Sequence, residues 1–362
     1  EVHISSVYYG GDQKLTQKVL DGINNNKKFI DGDYVRKSLT ELSGNFASFL
    51  SKIDNLPNLS VSERNALKVD VNSSVELKNL FVKNIDKTDE LSDAWKTVLN
   101  ARGANSVLKK DIALINKVAD LKKNSSFMQN IGGNEGLQKI IKNNVQAPCK
   151  SCGNSGSKYL KNMDDYLDDV EHFVTNFNDV SDAQRLITEL KNGAQYTVEG
   201  GAFALRMFKE NAGGLFTKGQ VSAIDLRFSE DVLNRFDVKF TNGFGEFKSY
   251  QLDNIGNISV NQFKQYLGAV DLSKIENLHY YFDKQKLLKE YGIGSFNNIN
   301  EATNAVKEKF KTIFTNKSDE IFSSLNQNIK NELGLTGLNA RSTFNDLISN
   351  TNSKLYNFIE IK

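Results

Sequence analysis

The 362-residue chain predicts an α+β protein: a predominantly helical N-terminal region, an α/β core of helix, three-strand meander, helix and strand, and a helical C-terminal tail. Three observations predict it. Only two prolines occur, Pro57 and Pro148, which suits helix because proline breaks helix interiors. Apolar residues recur at i, i+3, i+4 and i+7 through roughly the first half of the chain. Three short segments rich in β-branched and aromatic residues then alternate with period 2, and Asn242-Gly243 between the second and third signals a hairpin.

Taken in order, "SVSERNALK" pairs Ser60 with Glu63 in capping-box spacing, and "SSVELKNLF" repeats the device with Ser73 and Glu76. "DELSDAWKTVLNA" sets Leu91, Ala94, Trp95, Val98 and Leu99 on one stripe. "MDDYLDDVEHFVTNF" does so with Tyr166, Leu167, Val170, Phe173, Val174 and Phe177, and its acidic opposite face reads as a solvated helix surface. "SDAQRLITELKNG" is a further helix with Ser181 and Gln184 as its capping pair. A helix through "AQYTVEGGAFALRMFKENAGG" closes on Gly213 and Gly214. "QVSAIDLRF", "NRFDVKFTNG" and "FGEFKSYQL" are the three strands; "SVNQFKQYLGAV" returns to helix, "ENLHYYFDK" is a fourth strand, and the chain from "NEATNAVKEKFKTIF" onward is helical. These elements divide into a helical region 1–145, a linker with connecting helices 146–194, a core 195–290 and a helical extension 291–362.

Lys and Arg total 46 against 44 Asp and Glu, so no global basic field advertises a polyanion partner, and any such site is local. No apolar run approaches the ~18 residues of a membrane span. A signal peptide is not evident and the first residue is Glu1, so the sequence reads as the C-terminal piece of a longer protein. Cys149 and Cys152 form one C-x-x-C; zinc needs four ligands, and a redox motif would continue into a helix where this one continues into Gly and Ser. The pair reads as a linker with two thiols. His3, His172 and His279 are scattered, and neither a G-x-S-x-G elbow nor a phosphate-binding loop occurs.

Chemistry concentrates in "RFDVKFTNGFGEFKSYQ", where Phe236, Val238 and Phe240 alternate with Asp237, Lys239 and Thr241, and Phe247 points away from Glu246 and Lys248. A hairpin brings Asp237 beside Glu246 and Lys248 on a shared face. Two carboxylates about 4 Å apart repel by about 4 kcal/mol at an effective dielectric of about 20. Lys248 offsets part of that and a divalent cation more. Mg²⁺ accepts one or two carboxylates and keeps other positions for water and phosphate oxygens. There it acts as a Lewis acid and lowers the pKa of a bound water, while Lys248 orients that water or meets developing charge. The alternative is plain: Asp237 and Lys239 as a solvated strand face, with Glu246 and Lys248 as a surface charge set.

Over residues 195–285 these features resemble the PD-(D/E)xK, or restriction-endonuclease-like, nuclease superfamily. Asp237 falls on the second strand and Glu246-Phe247-Lys248 on the third, where that family carries its Asp and its E-x-K. Phe236 stands where the nominal Pro would be. "NQFKQYLG" carries Gln262 and Tyr266 at the Q-x-x-x-Y spacing of the family's exonuclease-like branch. The resemblance implies a metal-dependent phosphodiesterase. Glu199, Asp237, Glu246 and the Phe247 carbonyl would hold Mg²⁺ (or Mn²⁺), Lys248 would assist, and Gln262 and Tyr266 would support the site. Lys239 and Arg206 are candidate phosphate contacts.

"SDAWKTVLNARGANSVLKKDIALINKVADL" in turn looks like helical segments that precede the C-terminal toxin domains of secreted bacterial polymorphic toxins. That resemblance implies a delivery role for the N-terminal region and secretion or injection of the chain. Action in the cytoplasm of a target cell and a cognate immunity protein as partner follow from it. DNA is the expected substrate. An RNase with the same core and a non-catalytic helical interaction or delivery module remain as alternatives, because both nucleic acids present the same phosphate.

Overall fold

The computed structural model describes residues 44, 46–108, 111–146, 163–192, 195–227, 235–249, 251–292 and 294–362, with the side chains of 144–146, 195–199, 226–227, 254 and 256–257 outside that set. Cys149, Cys152 and the rest of residues 147–162 therefore lie outside the described residues. The chain divides into two compact units, Glu1–Met128 and Gln129–Lys362. No helix among the described residues is long and apolar enough to cross a membrane.

The described residues of the first unit are helical apart from short turns. Its elements include α1 (Val61–Ser73), α2 (Val75–Lys83), α3 (Thr88–Arg102) and α4 (Asp111–Lys123), followed by α5 (Ser125–Ile131) at the junction. Ser60 and Glu63 form the expected capping box at α1. At α2 the cap is Ser74 rather than Ser73: its side chain accepts the Leu77 N–H, three residues on. The predicted stripe of α3 is buried, Leu91 and Trp95 included. The Trp95 indole N–H donates to Asp70 at 2.7 Å, which satisfies a buried carboxylate inside the helical core.

The second unit carries α6 (Gly133–Gln146), α7 (Met163–Phe177), α8 (Ala183–Asn192) and α9 (Gln195–Glu210) ahead of a mixed sheet. All six predicted apolar residues of α7 are buried. Ser181 is not the cap of α8, which begins at Ala183; its carbonyl instead accepts the Ile224 N–H at 2.9 Å, tying the start of α8 to the sheet. The strands are β1 (Val221–Arg227), β2 (Arg235–Phe240), β3 (Gly243–Lys248), β4 (Leu278–Phe282) and β5 (Ile359–Ile361), in the spatial order β1-β2-β3-β4-β5. β1, β2 and β3 form the antiparallel meander, and the turn between β2 and β3 carries Asn242. α10 (Val260–Gly268) then crosses so that β4 runs parallel to β3, as a helical crossover permits.

The helices α11 (Ile299–Asn316), α12 (Ser318–Ser324), α13 (Gln327–Glu332) and α14 (Ala340–Ser349) follow. The tail was expected to be wholly helical, yet it ends in β5, which pairs parallel with β4. Ile359 and Ile361 are buried, and one hydrophobic core runs from Ala223 and Phe236 through Phe310, Phe314 and Phe358 to Ile361. Residues 291–362 thus complete the core of the sheet instead of extending from it.

Candidate active site

The two faces of the sheet are chemically unlike. Toward α10, Phe244, Glu246 and Lys248 of β3 meet Tyr266 and Tyr280. Toward α9, Phe247 lies among Phe203, Phe208, Phe216 and Tyr281. Period-2 alternation along β3 puts Glu246 and Lys248 on one side and Phe247 on the other, as expected.

Glu246 and Lys248 are both almost fully buried, 2% and 6% exposed, and their charged atoms stand 2.5 Å apart. The second Glu246 oxygen accepts the Tyr266 hydroxyl hydrogen. Tyr266 is held as a donor, because burial first and the Glu246 charge second push its phenol well above the ordinary range. α10 presents Tyr266 because Ser259 caps that helix by accepting the Gln262 N–H at 3.2 Å. One turn earlier on the same helix, the Gln262 amide donates to the Arg235 carbonyl at 2.8 Å, fixing the start of β2. The Q-x-x-x-Y residues therefore brace the site from two directions, one on each strand of the hairpin.

Asp237 also borders the space toward α9. It accepts the Phe247 N–H at 2.6 Å and lines a cavity of about 190 Å³ between α8, α9 and the meander. Asp225 on β1 lines it too. Its φ of 48° is left-handed, a conformation uncommon outside Gly, Asn and Asp. Strict alternation would put the neighbours Ile224 and Asp225 on opposite faces; with this backbone both line the cavity. The register brackets Asp237 opposite Asp225, between Ile224↔Val238 and Leu226↔Phe236. Burial raises the Asp237 carboxyl well above its ordinary value, and Glu246 raises it further, against the lowering effects of Lys248 and the Phe247 N–H. Asp237, Glu246 and Lys248 thus form one electrostatic cluster.

The remaining expected residues divide. Glu199 lies on α9, and its side chain is outside the described residues. Arg206 is bound to the buried Asp283 at 2.7 Å, and the same carboxylate accepts from Ser249 and the Gln285 N–H. Its guanidinium is therefore committed to joining α9 to the ends of β3 and β4. Lys239 pairs with the exposed Asp271 at 2.6 Å. Sequence reasoning missed Glu189 and Asp225, which line the cavity with Asp237. Burial and then the Asp225 charge raise the Glu189 carboxyl. Arg185 holds Asp225 at 2.7 Å across 40 residues of chain, a contact with no local signature.

Among the described residues no group of three or more His, Cys, Asp or Glu is arranged to hold a metal ion. Two carboxylates, those of Asp237 and Glu246, and the Phe247 backbone are what the described cluster offers. That set is compatible with Mg²⁺, which is commonly bound through one or two carboxylates with water and phosphate oxygens completing its shell. Comparison with protein-family models, curated proteins and solved structures finds no match for the chain.

Proposed function

We propose that the second unit is a metal-dependent phosphodiesterase of the PD-(D/E)xK type, acting on DNA. The observation that carries the reading is the buried Glu246–Lys248 pair beside an Asp237 whose carboxyl is raised by its surroundings. Burying a charged pair is expensive and seldom improves stability over apolar residues of the same volume. Strongly perturbed carboxyls cluster at functional sites. The order of α9, the β1–β3 meander, α10 and a β4 parallel to β3 supports the same reading.

In this proposal Asp237, Glu246 and the Phe247 carbonyl would hold Mg²⁺ or Mn²⁺, with Glu199 as a fourth candidate, and the ion so held would supply Lewis acidity toward a phosphate oxygen and a more acidic water. Lys248, fixed by Glu246, meets negative charge developing on the phosphate or orients the attacking water. Tyr266 keeps Glu246 in place by donating to the oxygen that Lys248 leaves. Gln262 holds the strand that bears Asp237. The toxin role, the delivery function of the N-terminal region and an immunity protein as partner belong to this proposal through sequence resemblance alone.

The test is incubation of the chain with DNA and with RNA, each with Mg²⁺ and with chelator. Metal-dependent cleavage of DNA is expected, with loss of ~10²-fold or more in Glu246→Ala and Lys248→Ala, the scale of removing an electrostatic stabiliser. Full activity in both variants would remove the mechanism. Cleavage of RNA alone would reassign the substrate.

A further inference from the structure

α9, β3 and β4 meet at a buried carboxylate. Asp283 follows β4 directly and is 2% exposed. One of its oxygens accepts the Arg206 guanidinium at 2.7 Å and the Gln285 N–H at 2.9 Å, and the other accepts the Ser249 hydroxyl at 3.0 Å. Its own N–H donates to the Lys248 carbonyl at 3.1 Å. Asp283 therefore grips β3 twice, at the main chain of Lys248 and at the side chain of Ser249. Its grip on α9 comes through Arg206, which lies over the Phe203 ring at 5.2 Å. Arg206 stands about two helical turns after Glu199 on the same helix. Stability alone is a poor reason for such a pair, because desolvating two charges costs what their attraction seldom offsets against apolar residues of the same volume. A fixed geometry is a better one: a guanidinium on a carboxylate whose two oxygens are both engaged admits few arrangements.

We infer that Asp283 is a positioning residue of the candidate site: with Arg206 it sets the main chain at Lys248 and the placement of α9 against β3, and through them the affinity of the site for a divalent ion. The inference rests on the metal-dependent reading and deepens it by assigning control of the site to residues outside the proposed metal holders. Those holders would come from β2 and β3, with Glu199 of α9 as a further candidate, and the Arg206–Asp283 pair is what ties α9 to the end of β3. Groups that orient metal ligands from behind set metal affinity by about 10–100-fold in other proteins. Arg206 acts here on the protein and not on the substrate, since its guanidinium is already engaged.

The test compares the full chain with Asp283→Asn and Arg206→Ala, and uses Arg206→Lys as the conservative control. Asparagine keeps the shape and one acceptor oxygen but carries no charge. Two quantities are measured well below each variant's melting temperature. One is the Mn²⁺ binding isotherm, read from the paramagnetic resonance of the free ion. The other is the steady-state rate of DNA cleavage at a fixed, sub-saturating Mn²⁺ concentration. The expected result is a Kd for Mn²⁺ raised about tenfold in Asp283→Asn and Arg206→Ala, with kcat lowered and KM for DNA unchanged. Arg206→Lys is expected to recover most of both. Ser249→Ala, which removes one hydroxyl and strands no charge, is expected to move Kd in the same direction and serves should Asp283→Asn fail to fold. Parent-like Mn²⁺ affinity in these variants would overturn the inference and leave the nuclease reading in place. So would a rise in KM alone, which would make Arg206 a substrate contact. Mn²⁺ binding by the parent chain without cleavage of nucleic acid removes the nuclease reading alone, and the isotherms then decide the inference. A parent chain that binds no Mn²⁺ removes both.

Discussion

At the scale of single residues, the Glu246–Lys248 pair sets the terms. The two side chains are 2% and 6% exposed, so neither charge is relieved by water, and each depends on the other and on Tyr266. Removing one partner of a buried pair leaves an uncompensated charge and costs roughly 3–5 kcal/mol. Lys248→Met is therefore expected to lower unfolding free energy in urea by that amount. Adding Glu246→Gln to it should recover most of the loss, because glutamine is neutral and still accepts from Tyr266. A double variant no more stable than Lys248→Met would show that the pair is not electrostatically coupled as described. Asp237 differs in kind: its raised carboxyl arises from burial and a like-charged neighbour, an arrangement that a bound cation relieves.

At the scale of elements, the hairpin and its crossover position the cluster. Gly243 opens β3 where the backbone of Asn277, just ahead of β4, comes close: a Cβ there would stand 1.9 Å from the Asn277 carbonyl oxygen. Gly243→Ala should push β3 from β4 and cost about 1–3 kcal/mol, the usual range for overpacking. Thermal unfolding of the variant checks this, and an unchanged midpoint would deny the close approach. These elements were largely legible in the sequence, because each announces itself locally. The stripe of α7 and the Asn242-Gly243 turn are examples, as are the aromatic alternation of β2 and the spacing from Gln262 to Tyr266. β5 was not legible, since Ile359–Ile361 is three residues long and gains its strand character only from pairing with β4. Asp225 was not legible either: a left-handed backbone at an aspartate inside a strand leaves no mark in the local pattern, yet with it Asp225 joins Ile224 and Asp237 in lining one cavity.

At the scale of the whole molecule, the residues that sequence could not join are joined across long stretches of chain. Arg206 reaches Asp283 over 77 residues, and Arg185 reaches Asp225 over 40. Local periodicity carries no information about such contacts, which is why two cations of this unit, Arg206 and Arg185, turn out to be committed to carboxylates. Residues 291–362 likewise belong to the core through Phe310, Phe314 and Phe358. In the proposed site Asp237 and Glu246 share one divalent ion. Its most direct test is the melting temperature of the chain and of Asp237→Asn, each with Mn²⁺ and with chelator, since an ion that binds only the folded state raises stability by mass action. A rise in the parent chain that disappears in Asp237→Asn is the predicted result. No rise in the parent, or an equal rise in both, would contradict the account.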